Sequence, residues 1–537
     1  MTSSWQWTVV PGEAAAAAAR PAGLKLSVLL AIGLGTILEW YDFTIYTKMT
    51  REGGGGNILA RVFFPPGDAA AQALAVWGVF AVGFVTRPLG ALLFGHFGDT
   101  RGRGITLLLS VLGMGVPTVL IGCLPGYTEI GIAAPALLVA LRAVQGIAMG
   151  GEFGTALVYL YEVAPEHQKG LLSSLGCVCL GLGVALGAAV VAAVGAFMPP
   201  ASLVTLGWRI PFLASSLTLV AAIIVRFNMP ESTEFAISHD EIEQEFHRRL
   251  QQQQQQRRKQ EQQQQQQQQQ AANSSSRPSR YSCSLAPIPS CSDLSCSTRL
   301  EGVTNYNSNL KNNNSRLDDL EAVRKLLLAE RHYVPVVELL RGHWGALLLQ
   351  CGYQAWSAAA LHLGINWLPG YFLRQAGLPQ ALVLWMLLSS IALFAAAVLA
   401  AGAASDRGVG RLRATMVVCG IAAISSIPMF IALSSRSLAA CWLTQAATLA
   451  LAGAAAGMLP AMCCSLYPAG VRISGVCLGF HAGMLAFGVL TPVVLSAIKT
   501  AAGPLLLAPG AWMTALAVLS IVCAAALARM FPHANGA

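Results

Sequence analysis

Five charged residues stand inside otherwise apolar stretches of this 537-residue chain: Glu39, Asp42, Arg87, Arg142 and Glu152. A charge kept from water is costly, so each is a candidate for chemistry. Glu39 and Asp42 are three residues apart and share a helix face. Two carboxyls that close, in a poorly solvated place, do not both ionise easily. The pair therefore suits proton loading and unloading, with Asp42 as carrier and Glu39 as its coupled partner. A salt bridge to Arg87 is the competing fate for either acid. Arg142 begins an Arg-x-x-Gln-Gly run, with Gln145 about one turn on. Its fixed guanidinium, like that of Arg87, suits a nearby carboxyl or a bound carboxylate. Glu152 lies ten residues further, ~15 Å along a helix axis, in either a coupling or a structural role. After residue 342 the only acid is Asp406, so a proton-carrying carboxylate belongs to the first half of the chain.

A second group is polar without formal charge. His362, Asn366, Trp367 and Tyr371 fall in one apolar stretch. They line a cavity, where the aromatics offer faces to a cation, or Trp367 and Tyr371 sit in an interfacial aromatic belt. His362 is either a packed histidine or a proton relay. Tyr41, Tyr46 and Gln354 are further candidates to line a cavity. The 13 Cys include no C-x-x-C pair, and Cys177-x-Cys179 lacks a matching partner set, so no metal site is expected. No phosphate-binding glycine loop or nucleophile elbow occurs. We expect no cofactor and no enzyme; energy for any work would come from an ion gradient.

The elements that position these residues follow from composition. The chain is 55% hydrophobic and 11% charged, against roughly 25% charged in soluble domains. Twelve apolar stretches reach the ~20 residues that a bilayer demands: 24–48, 72–97, 104–124, 132–161, 171–197, 206–229, 343–371, 380–403, 412–434, 438–464, 474–497 and 506–530. The expected architecture is an all-α membrane protein. A segment 1–23 precedes a six-helix bundle over 24–229, and a second bundle covers 343–530 before a tail at 531–537. Between the bundles, residues 230–342 carry Gln251–Gln256, Gln262–Gln270 and Asn312–Asn314 and predict a disordered cytoplasmic loop, with short helices near 238–260 and 315–331. The N-terminus does not read as a cleaved signal. The net charge of +9 is spread over loops, which suits membrane-surface charge and not nucleic acid.

The halves repeat. Gly95-x-x-x-Asp99 ends the second stretch and Gly402-x-x-x-Asp406 the eighth, 307 residues apart. Gly146-x-x-x-Gly150 matches Gly453-x-x-x-Gly457 at the same offset, and Pro165-x-x-x-Lys169 matches Pro468-x-x-x-Arg472 at 303. Three matches in one order argue for parallel repeats of the kind carriers use. Gly475, Gly479 and Gly483 are spaced for close helix packing. The Lys and Arg distribution favours both termini inside.

The run Gly95-His-Phe-Gly-Asp99-Thr-Arg101-Gly-Arg103-Gly resembles the signature loop of the major facilitator superfamily, with Thr100 and Gly104 departing from it. Asp406-Arg407-Gly-Val-Gly-Arg411 is its second copy, one residue longer. In that family the acid and the basic residues form a latch between the halves that holds one access state. Gly95, Asp99, Arg101, Arg103, Asp406, Arg407 and Arg411 are the gating set this implies. Glu39-Trp-Tyr-Asp42-Phe43, Arg87-Pro88, Gly150-Gly-Glu152-Phe, Gly207-Trp-Arg-Ile-Pro-Phe212 and Tyr467-Pro-Ala-Gly-Val-Arg472 resemble the metabolite–proton symporters. The resemblance covers both halves, but not 1–20 or 231–341, and it implies the major facilitator fold. It also implies proton-coupled symport of a small carboxylate or zwitterion by alternating access, by a monomer in membrane lipid. On this reading Asp42, Glu39, Arg142 and Glu152 couple protons, while Arg87, Tyr41, Gln145, Gln354, His362, Asn366 and Trp367 meet the substrate. An uncoupled facilitator or exporter, and a non-transporting sensor or scaffold, are the alternatives.

Overall fold

The computed structural model describes residues 26–49, 57–199, 202–227, 229–232, 334–502 and 507–535, together with 251, 252, 254, 255, 258–260, 262–267 and 269. The segment 1–23 and the helix expected at 315–331 lie outside the described residues. The chain divides into two units: one from its start to Ser238 and again from Pro335 on, the other His239–Val334. In the second unit the described residues between 251 and 269 are helical. Most are glutamines, which propagate a helix well despite having no core to join.

The first unit is all-α among its described residues. Eleven helices are long and apolar enough to cross a membrane. Leu26–Met49, the first, is followed by a second span kinked between Ala69–Val85 and Arg87–Arg101. Then come Arg103–Cys123, Ala133–Val163, Lys169–Phe197 and Arg209–Phe227. The eighth to tenth spans are Gln380–Asp406, Arg411–Leu433 and Leu438–Leu466. The eleventh runs through Arg472–Gly483 to Leu490–Ala502, and the twelfth is Leu507–Met530. The seventh is interrupted: Trp344–Tyr353, Ala355–His362 and Leu368–Arg374. Twelve spans in two bundles result, the chain of a multi-pass integral membrane protein. Leu217, Ile424, Val417 and Trp385 point outward at 76%, 80%, 63% and 68% exposure, a surface that lipid matches and water would not.

Proline shapes the spans. Three π-helical turns, Leu203–Gly207, Leu363–Trp367 and Met484–Val489, lie just ahead of Pro211, Pro369 and Pro492. Proline has no N–H and crowds the carbonyl four residues back, and a widened turn accommodates that clash. Pro88 acts likewise in the second span, where the helix breaks at Thr86 and restarts at Arg87. The break sets Arg87 at mid-span.

Glycine brings the spans together. Gly146 and Gly150 of the fourth span lie on the Gly83 and Arg87 carbonyls of the second, leaving no room for a Cβ. Gly453 and Gly457 repeat the contact on the Phe394 and Val398 carbonyls of the eighth. The halves meet through two matching pairs, the second span with the eleventh and the fifth with the eighth.

The segment expected to be disordered from residue 230 begins with ordered residues. Pro230 accepts the Tyr159 hydroxyl at 2.6 Å, and Glu231 accepts the Arg103 and Gly104 N–H groups at 2.8 and 3.1 Å. Glu231 thus caps the third span. At the far end, Pro335–Gly342 is a short helix with Leu339 buried. Local capping and one apolar anchor order the margins of a segment whose composition alone predicts none.

Candidate functional site

Near mid-span in the first bundle, four charges and their partners share a dry place. Arg142 Nη1 lies 2.8 Å from Asp42 Oδ2. Gln145 Nε2 and the Thr118 hydroxyl each donate to Asp42 Oδ1 at 3.0 Å. The Arg142 guanidinium lies over the Tyr46 ring at 3.7 Å. One turn away, Arg87 Nη1 is 3.5 Å from Glu39 Oε1, with its guanidinium 4.2 Å from the centre of the Phe84 ring. Each acid of the first span therefore has its own arginine. A cavity of about 10 Å³, room for about one water, lies among Asp42, Phe43, Phe80, Phe84, Arg87, Arg142, Gln145 and Met149.

The pairing is incomplete. Glu39 Oε2, Arg87 Nε, Arg142 Nε and Nη2, and Gln145 Oε1 are buried without a hydrogen-bond partner. Each such group left unmade in a dry site costs about 1–3 kcal/mol.

The residues expected to meet substrate from the second half divide. His362 packs its ring against Phe43 at 5.8 Å, and against Phe84 and Trp40 at 6.4 Å each, so it faces the charged cluster. Asn366 lies in the π-turn just beyond it, nearly buried. Trp367 stacks on Tyr371 at 5.5 Å and touches Phe430. Both rings are buried against the ninth span. Gln354 donates to the Gly479 and Phe480 carbonyls at 2.9 Å and lines a separate, apolar cavity with Phe153, Leu180 and Phe394. Tyr41 donates to the Pro211 carbonyl at 2.7 Å, fixing the sixth span and lying off the cavity wall.

Glu152 belongs to a different set. It pairs with Arg226 of the sixth span, one contact being 2.9 Å, and accepts the Ser110 hydroxyl. Arg226 also donates to the Ala31 and Leu107 carbonyls. This ion pair ties four spans together and both partners are buried.

The signature-loop residues sit where the halves touch. Asp99 accepts the N–H groups of Ile473 and Ser474 at 3.0 and 2.9 Å, the opening turn of the eleventh span. Asp406 accepts those of Gly170 and Leu171 at 2.6 and 2.7 Å, the opening turn of the fifth. Both acids thus cap a helix of the opposite bundle, satisfying orphan donors and the helix dipole. Gly95 makes the approach possible, because a methyl there would lie 2.8 Å from Ser474 Cα; at Gly402 it would lie 3.0 Å from Leu171 Cα. Arg103 binds Glu162 through two nitrogens at 2.9 and 3.0 Å, and Arg472 of the other half reaches the same carboxylate at 2.8 Å. Arg411 donates to Ser405 at 2.8 Å. Arg101 and Arg407 are exposed. The latch expected between the halves is thus made by acids on backbone N–H groups and by Glu162 between two arginines, not by pairing of the loop acids with the loop arginines.

Sequence reasoning missed Thr118, Arg226, Glu162, Glu231 and His481. Of these, His481 carried a usable signal, a histidine well inside an apolar span.

The model of the family described as "Sugar (and other) transporter" matches residues 28–322. The chain is 42% identical over 201 residues to the shikimate transporter of Escherichia coli (strain K12), covering 37% of this chain and 45% of that protein. To the alpha-ketoglutarate permease of the same organism it is 39% identical over 210 residues, covering 39% and 47%. To its proline/betaine transporter it is 34% identical over 232 residues, covering 43% and 45%. The chain therefore spans about half the length of the curated relatives it matches. Among solved structures, a proton:xylose symporter of the major facilitator superfamily superposes with a TM-score of 0.63 at 15% identity, covering 95% of this chain and 96% of that one. The partially occluded inward open form of the xylose transporter from E. coli gives 0.58 at 15%, covering 94% and 97%. At that identity the likeness is one of fold.

Proposed function

The chain belongs to the sugar (and other) transporter family, and from that premise we propose that it is a secondary carrier moving a small carboxylate-bearing metabolite together with protons. The observation that carries the reading is the incompletely paired cluster of Glu39, Asp42, Arg87 and Arg142.

Charge balance supplies the coupling. Two acids and two arginines sum to zero. Protonating Asp42 leaves Arg142 without its counter-ion and the site at +1. A substrate carboxylate then restores neutrality by taking the Arg142 N–H groups and the spare Arg87 Nε–H. Either half-loaded state carries a net charge in a dry site, which is expensive. Only the empty and the fully loaded states reorient cheaply, so proton and carboxylate move together. Asp99 and Asp406 close the end read as cytoplasmic in one access state and release it in the other. The relatives named for shikimate, alpha-ketoglutarate and proline/betaine support a carboxylate-bearing cargo.

The test is uptake into proteoliposomes under an imposed inward proton gradient, with labelled shikimate, 2-oxoglutarate, proline, glycine betaine and xylose. Gradient-driven accumulation of carboxylates, lost in Asp42→Asn while counterflow exchange persists, is the expected result. Uptake indifferent to both the gradient and the substitution makes the protein a facilitator and removes Asp42 from the coupling role.

A further inference from the structure

The charged cluster has a far wall, and it comes from the other bundle. His481, in the eleventh span, is 1% exposed; one ring nitrogen is within hydrogen-bonding reach of the Met149 backbone and the other is buried without a partner. It lies within electrostatic range of Arg87 and beside the Met149 backbone, and Met149 lines the charged cavity. The eleventh span packs on the second and fourth spans, which carry Arg87 and Arg142. His362, in the seventh span, rests on Phe43 and Phe84 of the same cavity wall and is also within range of Arg87. Its Nδ1 is engaged by the Ala358 carbonyl at 3.1 Å, and its Nε2 is buried without a partner. Two imidazole nitrogens of the second half, one on each histidine, thus stand unsatisfied within range of Arg87.

Taking the carboxylate reading above as given, we propose that His481, together with His362, reads a hydroxyl group of the cargo, so that the preferred substrates are hydroxylated carboxylates. A neutral imidazole whose N–H is spent on a backbone carbonyl keeps one acceptor nitrogen, which is what a hydroxyl proton needs. The arginines have donors only and cannot accept a hydroxyl proton. The carboxylate end therefore lies against the first bundle and the hydroxylated end against the second. A cargo of this kind bridges the bundles and fills the unmet groups on both sides. A cargo without the hydroxyl leaves buried nitrogens unpaired, the situation in which a polar site rejects an analogue most strongly.

The experiment measures kcat/KM in proteoliposomes for paired substrates: cyclohexanecarboxylate with its ring-hydroxylated counterpart, and propionate with glycerate. The full-length protein is compared with His481→Phe, His481→Gln and His362→Phe, each checked for thermal melting in detergent. The wild-type protein is expected to favour the hydroxylated member of a pair at least ~10-fold. His481→Phe should erase most of that ratio, and His481→Gln, which keeps a donor and an acceptor, should retain part of it. If the wild type shows no preference, or if His481→Phe keeps it, the histidine assignment is wrong while the proton–carboxylate reading stands. If no carboxylate of either kind is taken up, both fall. Should His481→Phe fail to fold, a ratio unchanged in both His481→Gln and His362→Phe overturns the assignment by itself.

Discussion

Arg142 Nη1 lies 2.8 Å from Asp42 Oδ2, with Arg142 between that carboxylate and the Tyr46 ring. Removing one member of a buried pair leaves the other charge uncompensated, at about 3–5 kcal/mol. Asp42→Asn is therefore expected to lower the melting temperature in detergent. The double variant Asp42→Asn with Arg142→Gln should recover much of that loss and still show no gradient-driven uptake. A double variant that accumulates substrate like the wild type would mean the pair is structural.

Stoichiometry follows from the charge balance. A monocarboxylate should enter with one proton and carry no net charge. A dicarboxylate should draw a second proton, for which Glu39 is the available acid. Uptake of a monocarboxylate is expected to be unaffected by an imposed membrane potential and to follow the pH gradient alone. A potential that drives it by itself contradicts the four-charge accounting.

Glu152 gives the opposite expectation. Its carboxylate is already engaged by Arg226 and Ser110, so it has little to offer a proton in transit. Glu152→Gln should destabilise the protein by about 3–5 kcal/mol and cut the folded yield, and the remaining folded protein should respond to a proton gradient as the wild type does. A well-folded Glu152→Gln protein without gradient response would return Glu152 to the coupling set.

Asp99→Ala and Asp406→Ala each remove a helix cap, about 1 kcal/mol apiece. Both should shift the population toward the state open at that end, and the double variant should shift it further. Spin labels at the exposed positions Arg101 and Val409, read by pulsed dipolar spectroscopy, should show a longer-distance fraction that grows from single to double variant. An unchanged distance distribution would deny the acids a gating role.

Gly150 has no space for a Cβ against the Arg87 carbonyl. Gly150→Leu should therefore push the second and fourth spans apart and separate Arg87 from Arg142. The expected outcome is loss of uptake for every substrate together with a lower melting temperature. Normal transport by Gly150→Leu would show that the close contact is dispensable.

The parts legible in the sequence are those that stand out against an apolar background. Glu39, Asp42, Arg87 and Arg142 were visible because lipid-facing helices rarely carry charge, and the repeat was visible because glycines and acids recur at one offset. What stayed hidden has physical reasons. Thr118 is unremarkable in a span, since its hydroxyl can satisfy itself on a neighbouring carbonyl. Arg226 and Glu162 sit near span ends, where a charge reads as reaching for the interface. The division of Glu39 to Arg87 and Asp42 to Arg142 depends on how the second and fourth spans are kinked and pressed together, which spacing within one helix cannot give.

The clasps of Asp99 and Asp406 have a consequence for how the chain tolerates change. Their partners are peptide N–H groups of Ile473, Ser474, Gly170 and Leu171, and every residue but proline supplies the same donor. At Ile473, Ser474 and Leu171 the clasps therefore set no demand on the side chain, whereas a Cβ at Gly170 would lie 2.7 Å from Asp406 Oδ1. The burden of inheritance falls on two carboxylates and on the glycines at 95, 402 and 170 that admit the opposite backbone, so a side-chain scan would register only one jaw of the Asp99 clasp but both jaws of the Asp406 clasp.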